Sequence, residues 1–414
     1  MPILLSHLTG NPNSCAVGEA FAEAGVLASF HTTLVVPSLL RSWLASVGIA
    51  KGFLERRVFP KKVRPFLHSH PGLEWLRLAC RSAPVLTRNR LVAQWGSLEQ
   101  VIRHFDAAVG REVSQSRGLS AVYGYMDTAE QTFEAARLRG IQTIYELPTP
   151  YWRFTRDIVE QEAFLQPEWA ATLPVLDQCC KAMQRRDREL QLADVVIVPS
   201  ALVRDSLKLA PPFKAKVHVV PYGCPESLPS NLNLPTSPAS SSSRLRLLYV
   251  GSLNQGKGLA YLAEAMIGLE ELATLTVIGS RTADLPCPAL DAFLGAHKHL
   301  SGLSHNEVLA EMQQNDVLVL PTLYEGLALV LLEAMACGLT VITTPHSGLT
   351  GLINDGMEGF IVPIRSAPAI RDRLRLLAGD AGLLQTMRQA ALVWSREHSW
   401  RLFRKKIRDV IQVH

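Results

Sequence analysis

The stretch DVLVLPTLYEGLALVLLEAMACGLTVITTP, residues 316–345, holds the succession of patterns that decides the fold. Residues 317–320 form a short apolar run closed by a proline, which is typical of a buried parallel strand. Tyr-Glu-Gly at 324–326 turns the chain, and residues 328–337, rich in Leu, Ala and Met, predict a helix ended by a glycine. A second strand is predicted over 340–344. In such a unit the free N–H groups of the new helix face a crevice at the carboxyl edge of the sheet, which suits phosphate.

Two carboxylates stand in this stretch, Glu325 in the turn and Glu333 in the predicted helix. Their spacing corresponds to roughly 12 Å along a helix axis, enough to hold the two ends of a nucleotide diphosphate sugar. Carboxylates accept hydrogen bonds from hydroxyl groups, so the pair would match a sugar and a ribose with a diphosphate between them. Two plainer interpretations compete. Residues 317–342 could be a membrane span, although each glutamate would cost about 2.5–3.5 kcal/mol near its centre, or both glutamates could be ordinary solvated residues.

The same stretch carries a family signature. Pro321, Tyr-Glu-Gly at 324–326, Leu-Glu-Ala-Met-Ala at 332–336 and Cys-Gly at 337–338 together resemble the motif of the retaining glycosyltransferases of family 4. The resemblance implies an α/β fold of the GT-B type, with two Rossmann-like doubly wound domains facing a central cleft. It also implies that Glu325 lies near the donor sugar and Glu333 on the nucleotide ribose. The backbone N–H groups near Gly326, Leu327, Ala328 and Leu329, at the start of the predicted helix, are expected to lie near the phosphates.

Composition agrees with two soluble domains. The chain has 414 residues, of which 48% are hydrophobic and 19% charged, so it is long and apolar enough for two ordinary cores. Its seven cysteines form no Cys-x-x-Cys pair, which argues against a disulfide framework or a zinc site and favours a reducing compartment. The first residues, MPILLSHLTGNPNS, lack the basic region of a signal peptide and are interpreted as a first strand with its loop. We therefore expect a cytoplasmic location.

The positive charge is concentrated in residues 51–90. This segment carries ten Lys or Arg against Glu55 and Glu74, interleaved with aromatic and leucine residues. It could lie on the inner, anionic face of a membrane, where each basic residue contributes about 1 kcal/mol. It could equally be a solvated basic face. Nucleic acid is not expected as a partner, because no recognised nucleic-acid-binding module accompanies the charge.

The chain divides at a Pro/Ser-rich stretch. Residues 225–243 have no apolar periodicity and are predicted to be a linker. They separate an N-terminal, acceptor-side domain at 1–224 from a nucleotide-sugar-binding domain at 244–394. In the GT-B fold the last helix commonly crosses back onto the first domain, which implies that residues 395–414 do so here and that the two domains can close like a hinge.

The first domain resembles the family only weakly. Strands are predicted at 3–6 and 34–37. Gly10, in the loop after the first strand, could approach donor or acceptor through its backbone, or this loop could be an ordinary strand-to-helix connection. At the end of a later strand the family often has a His-Asp pair that reaches the donor sugar, but Tyr145 and Glu146 stand there. We therefore expect Glu146 to make this contact, with Trp152 as a stacking surface for a sugar.

The second domain opens with a predicted strand at 245–250 and the loop GSLNQGKG, residues 251–258. This loop nearly matches the P-loop motif of triphosphatases, but Gly258 lies where that motif requires Ser or Thr. It resembles the family's phosphate loop, in which Gly251 lets the backbone approach phosphate and Lys257 supplies charge. Ser252 stands where relatives commonly have an arginine, and Arg281 could compensate. Gly279, after the next strand, completes the predicted donor site.

These residues predict transfer of a sugar from a UDP- or GDP-linked donor to a hydroxyl of a glycan or lipid-linked acceptor, with anomeric configuration retained. Lys257 and the helix amides would stabilise the departing diphosphate while Glu325 orients the sugar. No Asp-x-Asp motif occurs, so neither a metal nor a cofactor beyond the donor is expected, and the two His-x-His pairs are interpreted as surface residues. The alternatives are a sugar-nucleotide-binding scaffold that has lost turnover and, less favoured, a sugar-nucleotide epimerase.

Overall fold

A computed structural model describes residues 1–36, 57–82, 90–174, 180–226, 244–281 and 285–412. These residues form two α/β domains, each built on a parallel sheet with helices around it. The predicted pair of doubly wound domains is confirmed. Residues 227–243, most of the predicted linker, lie outside the described ranges, as do 51–56 and 83–89 of the basic segment.

Within the described ranges, the sheet of the first domain has seven strands. They are β1 Ile3–Ser6, β2 Leu27–Thr32, β3 Leu67–Ser69, β4 Ala121–Tyr125, β5 Gln142–Glu146, β6 Val195–Val198 and β7 Lys216–Val219. Their order in the sheet is β3-β2-β1-β4-β5-β6-β7. Strand order reverses between β1 and β4, and the crevice at the carboxyl ends of these strands is the usual ligand position in such sheets.

The described part of the second domain has a sheet of six strands. They are β8 Leu245–Val250, β9 Ala273–Ile278, β10 Lys298–Leu300, β11 Val317–Leu320, β12 Thr340–Thr343 and β13 Gly359–Ile361. Their order in the sheet is β10-β9-β8-β11-β12-β13. The switch point lies between β8 and β11, which pair in parallel. The loops that leave these two strands are therefore neighbours, and they carry Lys257 and Glu325.

Helices cover both sheets, and none in the described ranges combines the length and apolar character that crossing a bilayer demands. Those before the linker are Pro12–Glu23, Gly72–Ser82, Arg90–Trp95, Leu98–Gln115, Glu130–Leu138, Trp152–Leu165, Cys180–Leu192 and Ala201–Ser206. Those after it are Leu259–Met266, Pro288–Ala296, His305–Gln313, Leu329–Ala336, Ala367–Gly379, Ala381–Glu397 and Trp400–Ile411. Short 3-10 turns occur at Arg64–Phe66, Pro167–Thr172, Leu207–Leu209, Gln255–Lys257 and Pro345–Ser347.

The prediction of a second strand at 34–37 is wrong. The strand is Leu27–Thr32, whose sequence LASFHT lacks a continuous apolar run, although Leu27 and Phe30 are buried. Residues 34–36 follow it without regular structure, and residue 37 lies outside the described ranges. Sequence patterning failed here because the small and polar residues of a sheet strand weaken its apolar signal.

The C-terminal segment returns to the first domain. The helix Trp400–Ile411 packs on the helix Pro12–Glu23, with Arg408 Nη1 3.1 Å from Glu23 Oε2. The segment expected to be one helix at 395–414 is interrupted at residues 398–399. There the Cys224 amide donates to the His398 carbonyl at 2.7 Å, so the end of the first domain pairs with the interruption.

Candidate functional site

Lys257 and Glu325 meet in the crevice between the domains. The Lys257 ammonium donates a hydrogen bond to Glu325 Oε1, and the two side chains are 21% and 23% exposed. Lys257 ends the 3-10 turn after β8, and Glu325 lies in the turn after β11. The switch point of the sheet brings these two residues together across 68 positions of sequence.

A cavity of about 270 Å³ surrounds this ion pair. Residues of the first domain form most of its wall, including Trp152, Arg156 and Arg186. Arg186 hydrogen-bonds Asp127 through both Nε and Nη2, and Arg156 bonds Asp157. The predictions from sequence missed both arginines, because they lie in helices without a recognisable motif. With Lys257 they place three cations on the cavity wall, each of them bonded to a carboxylate.

Trp152 lies in the wall of the cavity, as its predicted contact with a sugar requires. Its indole N–H donates to Asp187 Oδ1 at 2.7 Å. The guanidinium groups of Arg153 and Arg156 lie 4.9 and 5.4 Å from the centre of its ring system. Arginine therefore covers part of the ring surface that was predicted to stack on a sugar, and the stacking role stays a prediction.

The turn before the helix Leu329–Ala336 is one of the places where the two domains touch. Ser200 of the first domain donates from Oγ to the Gly326 carbonyl at 2.5 Å. A methyl group at Gly326 would lie 1.7 Å from the Pro148 carbonyl oxygen, so only glycine permits this approach. The Ala328 amide donates to the Ser347 carbonyl. In the described ranges the amides of Leu327 and Leu329 donate no hydrogen bond, and neither residue lines the described cavity.

Glu333 lies on the helix that follows, at a half-buried position. Its side chain is 17% exposed, and Oε1 is 3.8 Å from His305 Nε2. Burial raises the pKa of this carboxyl from the ordinary value of 4.5 to about 7. The carboxylate thus titrates near neutral pH, and a ligand that donates hydroxyl hydrogen bonds would favour its ionised form.

The loops after β8 and β9 pack tightly on one another. A methyl group at Gly279 would lie 1.9 Å from the Gly251 carbonyl oxygen, so close backbone contact requires glycine at 279. The carbonyl of Ser252 accepts a hydrogen bond from the Tyr249 hydroxyl at 2.8 Å. Arg281, suggested as a substitute for the missing arginine, is instead bonded to Asp291.

The two candidates of the first domain lie outside this cavity. A methyl group at Gly10 would meet the Phe59 ring at 2.9 Å, so the loop is packed on that ring. Glu146, only 1% exposed, accepts hydrogen bonds from the side chains of Asn13, Tyr123 and Tyr222. Burial raises the pKa of its carboxyl, although these hydrogen bonds act in the opposite direction. Neither Gly10 nor Glu146 lines the described cavity, and their contacts with the donor stay predictions.

Of the two His-x-His pairs, the one formed by His68 and His70 is only partly at the surface, because both residues contact the buried His31. His31 is 2% exposed, and its Nδ1 lies 3.0 Å from His70 Nε2, while the ring of exposed His68 stacks on it. Burial lowers the pKa of His31 to about 3, so this imidazole is neutral. Within the described ranges, no group of three or more His, Cys, Asp or Glu is arranged to hold a metal ion.

The sequence of the second domain matches a known protein family. Residues 233–394 match the family described as "Glycosyl transferases group 1". The second domain is a glycosyltransferase group 1 domain. The chain is 28% identical over 181 residues to the amylovoran biosynthesis glycosyltransferase AmsK of Erwinia amylovora, a match that covers 41% of this chain and 44% of that protein. The chain thus spans less than half the length of this relative.

Solved structures resemble the whole chain, first domain included. A sucrose-phosphate synthase from Thermosynechococcus elongatus aligns with a TM-score of 0.67 over 100% of this chain and 98% of its own, at 16% identity. Anabaena HepE, solved in complex with UDP, aligns with a TM-score of 0.64 over 100% of both chains, at 14% identity. At such identities the likeness establishes the GT-B fold around the group 1 domain.

The loop at residues 251–258 provides a stability prediction. Gly258 has φ +75°, and a methyl group there would lie 2.0 Å from the Pro321 carbonyl oxygen. Gly268 has φ +77° with no atom within 4 Å. We expect Gly268→Ala to destabilise by about 1–2 kcal/mol through backbone strain, and Gly258→Ala by a further 1–3 kcal/mol or so through the clash. Urea denaturation measures both, and equal midpoints would contradict the close approach to Pro321.

Proposed function

We propose that this protein is a retaining glycosyltransferase of family 4 that moves a sugar from a UDP- or GDP-linked donor to an acceptor hydroxyl in glycan, polysaccharide or glycolipid synthesis. The observation that carries the proposal is the Lys257–Glu325 pair, which lies between the domains beside the N-terminus of the helix Leu329–Ala336. The group 1 domain supports the transferase class, and the UDP complex of HepE supports a nucleotide-linked donor.

The chemistry follows from the charges around that pair. As the bond between the anomeric carbon and the diphosphate oxygen breaks, its electron pair goes to the diphosphate. Lys257 and the amides of Leu327 and Leu329 would stabilise the new charge in a site that is already ordered. The acceptor oxygen then bonds to the anomeric carbon, and its proton goes to the departing phosphate oxygen. We infer that retention follows from attack on the face that the diphosphate leaves.

The ion pair also suggests how donor binding prepares the site. Before the donor binds, the Glu325 carboxylate neutralises the Lys257 ammonium. A diphosphate would attract the same ammonium more strongly, because it carries more charge and more acceptor oxygens. The freed carboxylate would then accept hydrogen bonds from hydroxyl groups of the donor sugar. Glu325 is therefore proposed to orient the sugar only when the phosphates are in place.

A donor panel tests the proposal. The purified protein is incubated with UDP- and GDP-sugars, and release of nucleotide diphosphate is followed with and without simple glycosyl acceptors. We expect release from one donor, and NMR of the product should give the anomeric configuration of the donor. Lys257 supplies the charge that a metal would otherwise provide, so EDTA should leave the rate unchanged. Binding without release for every donor and acceptor would contradict the enzyme.

A specific observation favours a second candidate, a sugar-nucleotide-binding scaffold. Ser252 replaces the arginine that relatives commonly use for the diphosphate, and Arg281 is occupied by Asp291. Arg156 and Arg186 do line the cavity, which favours the enzyme, although each is bonded to an aspartate as Arg281 is. Donor binding by calorimetry with no turnover in the panel would instead establish the scaffold.

The raised pKa of Glu333 predicts pH-dependent nucleotide binding. If the ionised carboxylate holds the ribose, affinity for UDP should rise with pH through about 7. The ionised fraction increases from about one tenth at pH 6 to about nine tenths at pH 8, so we expect roughly tenfold tighter binding at pH 8. Calorimetry across this range measures the change. Glu333→Gln should flatten the profile, whereas Glu271→Gln, at an exposed position, should keep it.

Ionisation of Glu333 should lower the stability of the folded protein, whereas it should strengthen UDP binding. Its pKa is higher in the folded protein than the ordinary value of 4.5, so the folded state binds more protons between these values. The free energy of unfolding therefore falls as pH rises from about 4.5 to about 7. Glu333→Gln should remove this decline, and a binding profile that falls in parallel with stability would contradict the ribose contact.

We further propose that the acceptor binds on the side of the first domain. We also propose that the protein is cytoplasmic and contacts the inner face of the membrane through residues 51–90. Arg57 and Arg77 are not available for such a contact, because both pair with buried Glu74. Trp75 is 47% exposed and supports it. Sedimentation with anionic vesicles tests this contact, and equal binding to neutral vesicles would contradict it.

A further inference from the structure

One segment, residues 152–172, bridges the two domains, and it is called the bridging segment below. It consists of the helix Trp152–Leu165 and the turn Pro167–Thr172. Its start is held by the first domain, where the Tyr151 amide donates to Ser206 Oγ at 2.8 Å. Its end lies on the second domain, where the rings of Trp169 and Phe293 are 6.2 Å apart between centroids.

Glu162, in the middle of the bridging segment, is completely buried. Its carboxylate accepts three hydrogen bonds, and all three donors belong to the second domain. Gln255 Nε2 and the Tyr261 hydroxyl reach Oε1 at 2.8 and 2.7 Å, and Arg365 Nε reaches Oε2 at 2.8 Å. A buried carboxylate is stable only with such partners. The bridging segment is therefore fixed to the second domain at this point.

Gln255 shares its 3-10 turn with Lys257. Besides bonding Glu162, it donates from its amide to Thr172 Oγ1 at 2.9 Å, at the end of the bridging segment. Its side-chain oxygen accepts from the Ala260 amide at 2.8 Å, in the helix that follows. The turn that carries Lys257 is thus attached to the bridging segment through both the backbone and the side chain of Gln255.

We propose that Glu162 is a positioning residue that holds the Gln255–Lys257 turn in the place from which Lys257 reaches the cavity. Because the bridging segment begins on the first domain, contact between the domains and the geometry of the phosphate loop are coupled. The attachment of the Gln255–Lys257 turn to Glu162 does not depend on what the cavity binds. Only its consequence for a diphosphate rests on the proposed function.

Hydrogen exchange of the full chain tests whether Glu162 fixes the Gln255–Lys257 turn. Glu162→Gln places an N–H₂ group among three donors and leaves at least one of them without an acceptor. We expect the amides of residues 255–261 to exchange about tenfold faster or more, with those of 317–320 unchanged. The matched control is Glu168→Gln, an exposed position of the same segment, which should behave like the unmodified protein. Unchanged exchange at 255–261 in Glu162→Gln would overturn the proposal.

A milder variant keeps the test decisive if Glu162→Gln does not fold. Tyr261→Phe removes one of the three hydrogen bonds and buries no new polar group. The same amides should then exchange several-fold faster, and exchange equal to that of the unmodified protein would overturn the proposal.

Calorimetry with inorganic pyrophosphate separates this inference from the proposed function. We expect Glu162→Gln to bind pyrophosphate about tenfold more weakly, and Glu168→Gln to bind it as the unmodified protein does. If the exchange result holds but the unmodified protein binds no pyrophosphate, Glu162 remains a positioning residue and the diphosphate site is wrong. If pyrophosphate binds and Glu162→Gln binds it equally well, the coupling to Lys257 is wrong.

Discussion

Replacing Lys257 with methionine should lower kcat/KM for donor consumption by about 100- to 1,000-fold, the usual cost of losing one group that stabilises transition-state charge. Methionine keeps most of the length of the side chain and removes only the ammonium. The variant has no ammonium for the diphosphate to attract away from Glu325, so the diphosphate would be held less well. Steady-state release of nucleotide diphosphate gives the ratio.

Two companion variants make the Lys257 result specific. Lys257→Arg restores a cation and should recover part of the loss, because a guanidinium can also bind phosphate oxygens. Lys208→Ala removes a lysine whose side chain is 81% exposed on the first domain, and activity should not change. Activity of Lys257→Met within about threefold of the unmodified protein would exclude Lys257 from leaving-group stabilisation.

Gly326→Ala should lower activity by about 100-fold, because misplacing a catalytic site by about 1 Å can have this effect. The added methyl group would lie 1.7 Å from the Pro148 carbonyl oxygen, and backbone on both sides leaves no flexible group to move aside. The domains must therefore separate at this point. The hydrogen bond from Ser200 to the Gly326 carbonyl would lengthen or break.

The control for Gly326 is Gly379→Ala, at the end of a helix, where a methyl group has no neighbour within 4 Å. It should leave activity unchanged. Small-angle scattering of the two variants reports the distance between the domains, and only Gly326→Ala should show expansion. Full activity of Gly326→Ala would mean that contact between Gly326 and Pro148 is not needed for turnover.

The second domain could be predicted well from its sequence. The sequence predicts strands at 245–250 and 317–320 with the bounds that the structure gives. Residues 317–320 are a continuous apolar run ended by a proline, and residues 245–250 are apolar except for Arg246 and are followed by a glycine. The two sheets and the GT-B arrangement were also predicted correctly. By contrast, the second strand of the first domain was misplaced, because the sequence LASFHT has a weaker apolar pattern than the Leu-Val-Val that follows it.

Candidate site residues could be identified from the sequence only where they belong to a recognisable motif. Lys257 and Glu325 came from motifs, and the structure pairs them. Arg156 and Arg186 had no signal, since surface arginines in helices are common. Glu162 likewise looks like any glutamate of a helix; only its contacts with three residues 93 to 203 positions away give it a role.

The sequence by itself determined the two parallel-sheet domains and indicated Lys257, Glu325 and Glu333 as the charged candidates of the second domain. Local apolar runs, turn residues and motif spacing are properties of short segments, and short segments can be interpreted alone. Only the tertiary structure decided that Lys257 pairs with Glu325, that Gly326 meets Pro148, and that Glu146 is enclosed by hydroxyl and amide donors. These outcomes depend on which strand ends are neighbours and on how the domains meet, and such long-range packing leaves no mark in any local pattern.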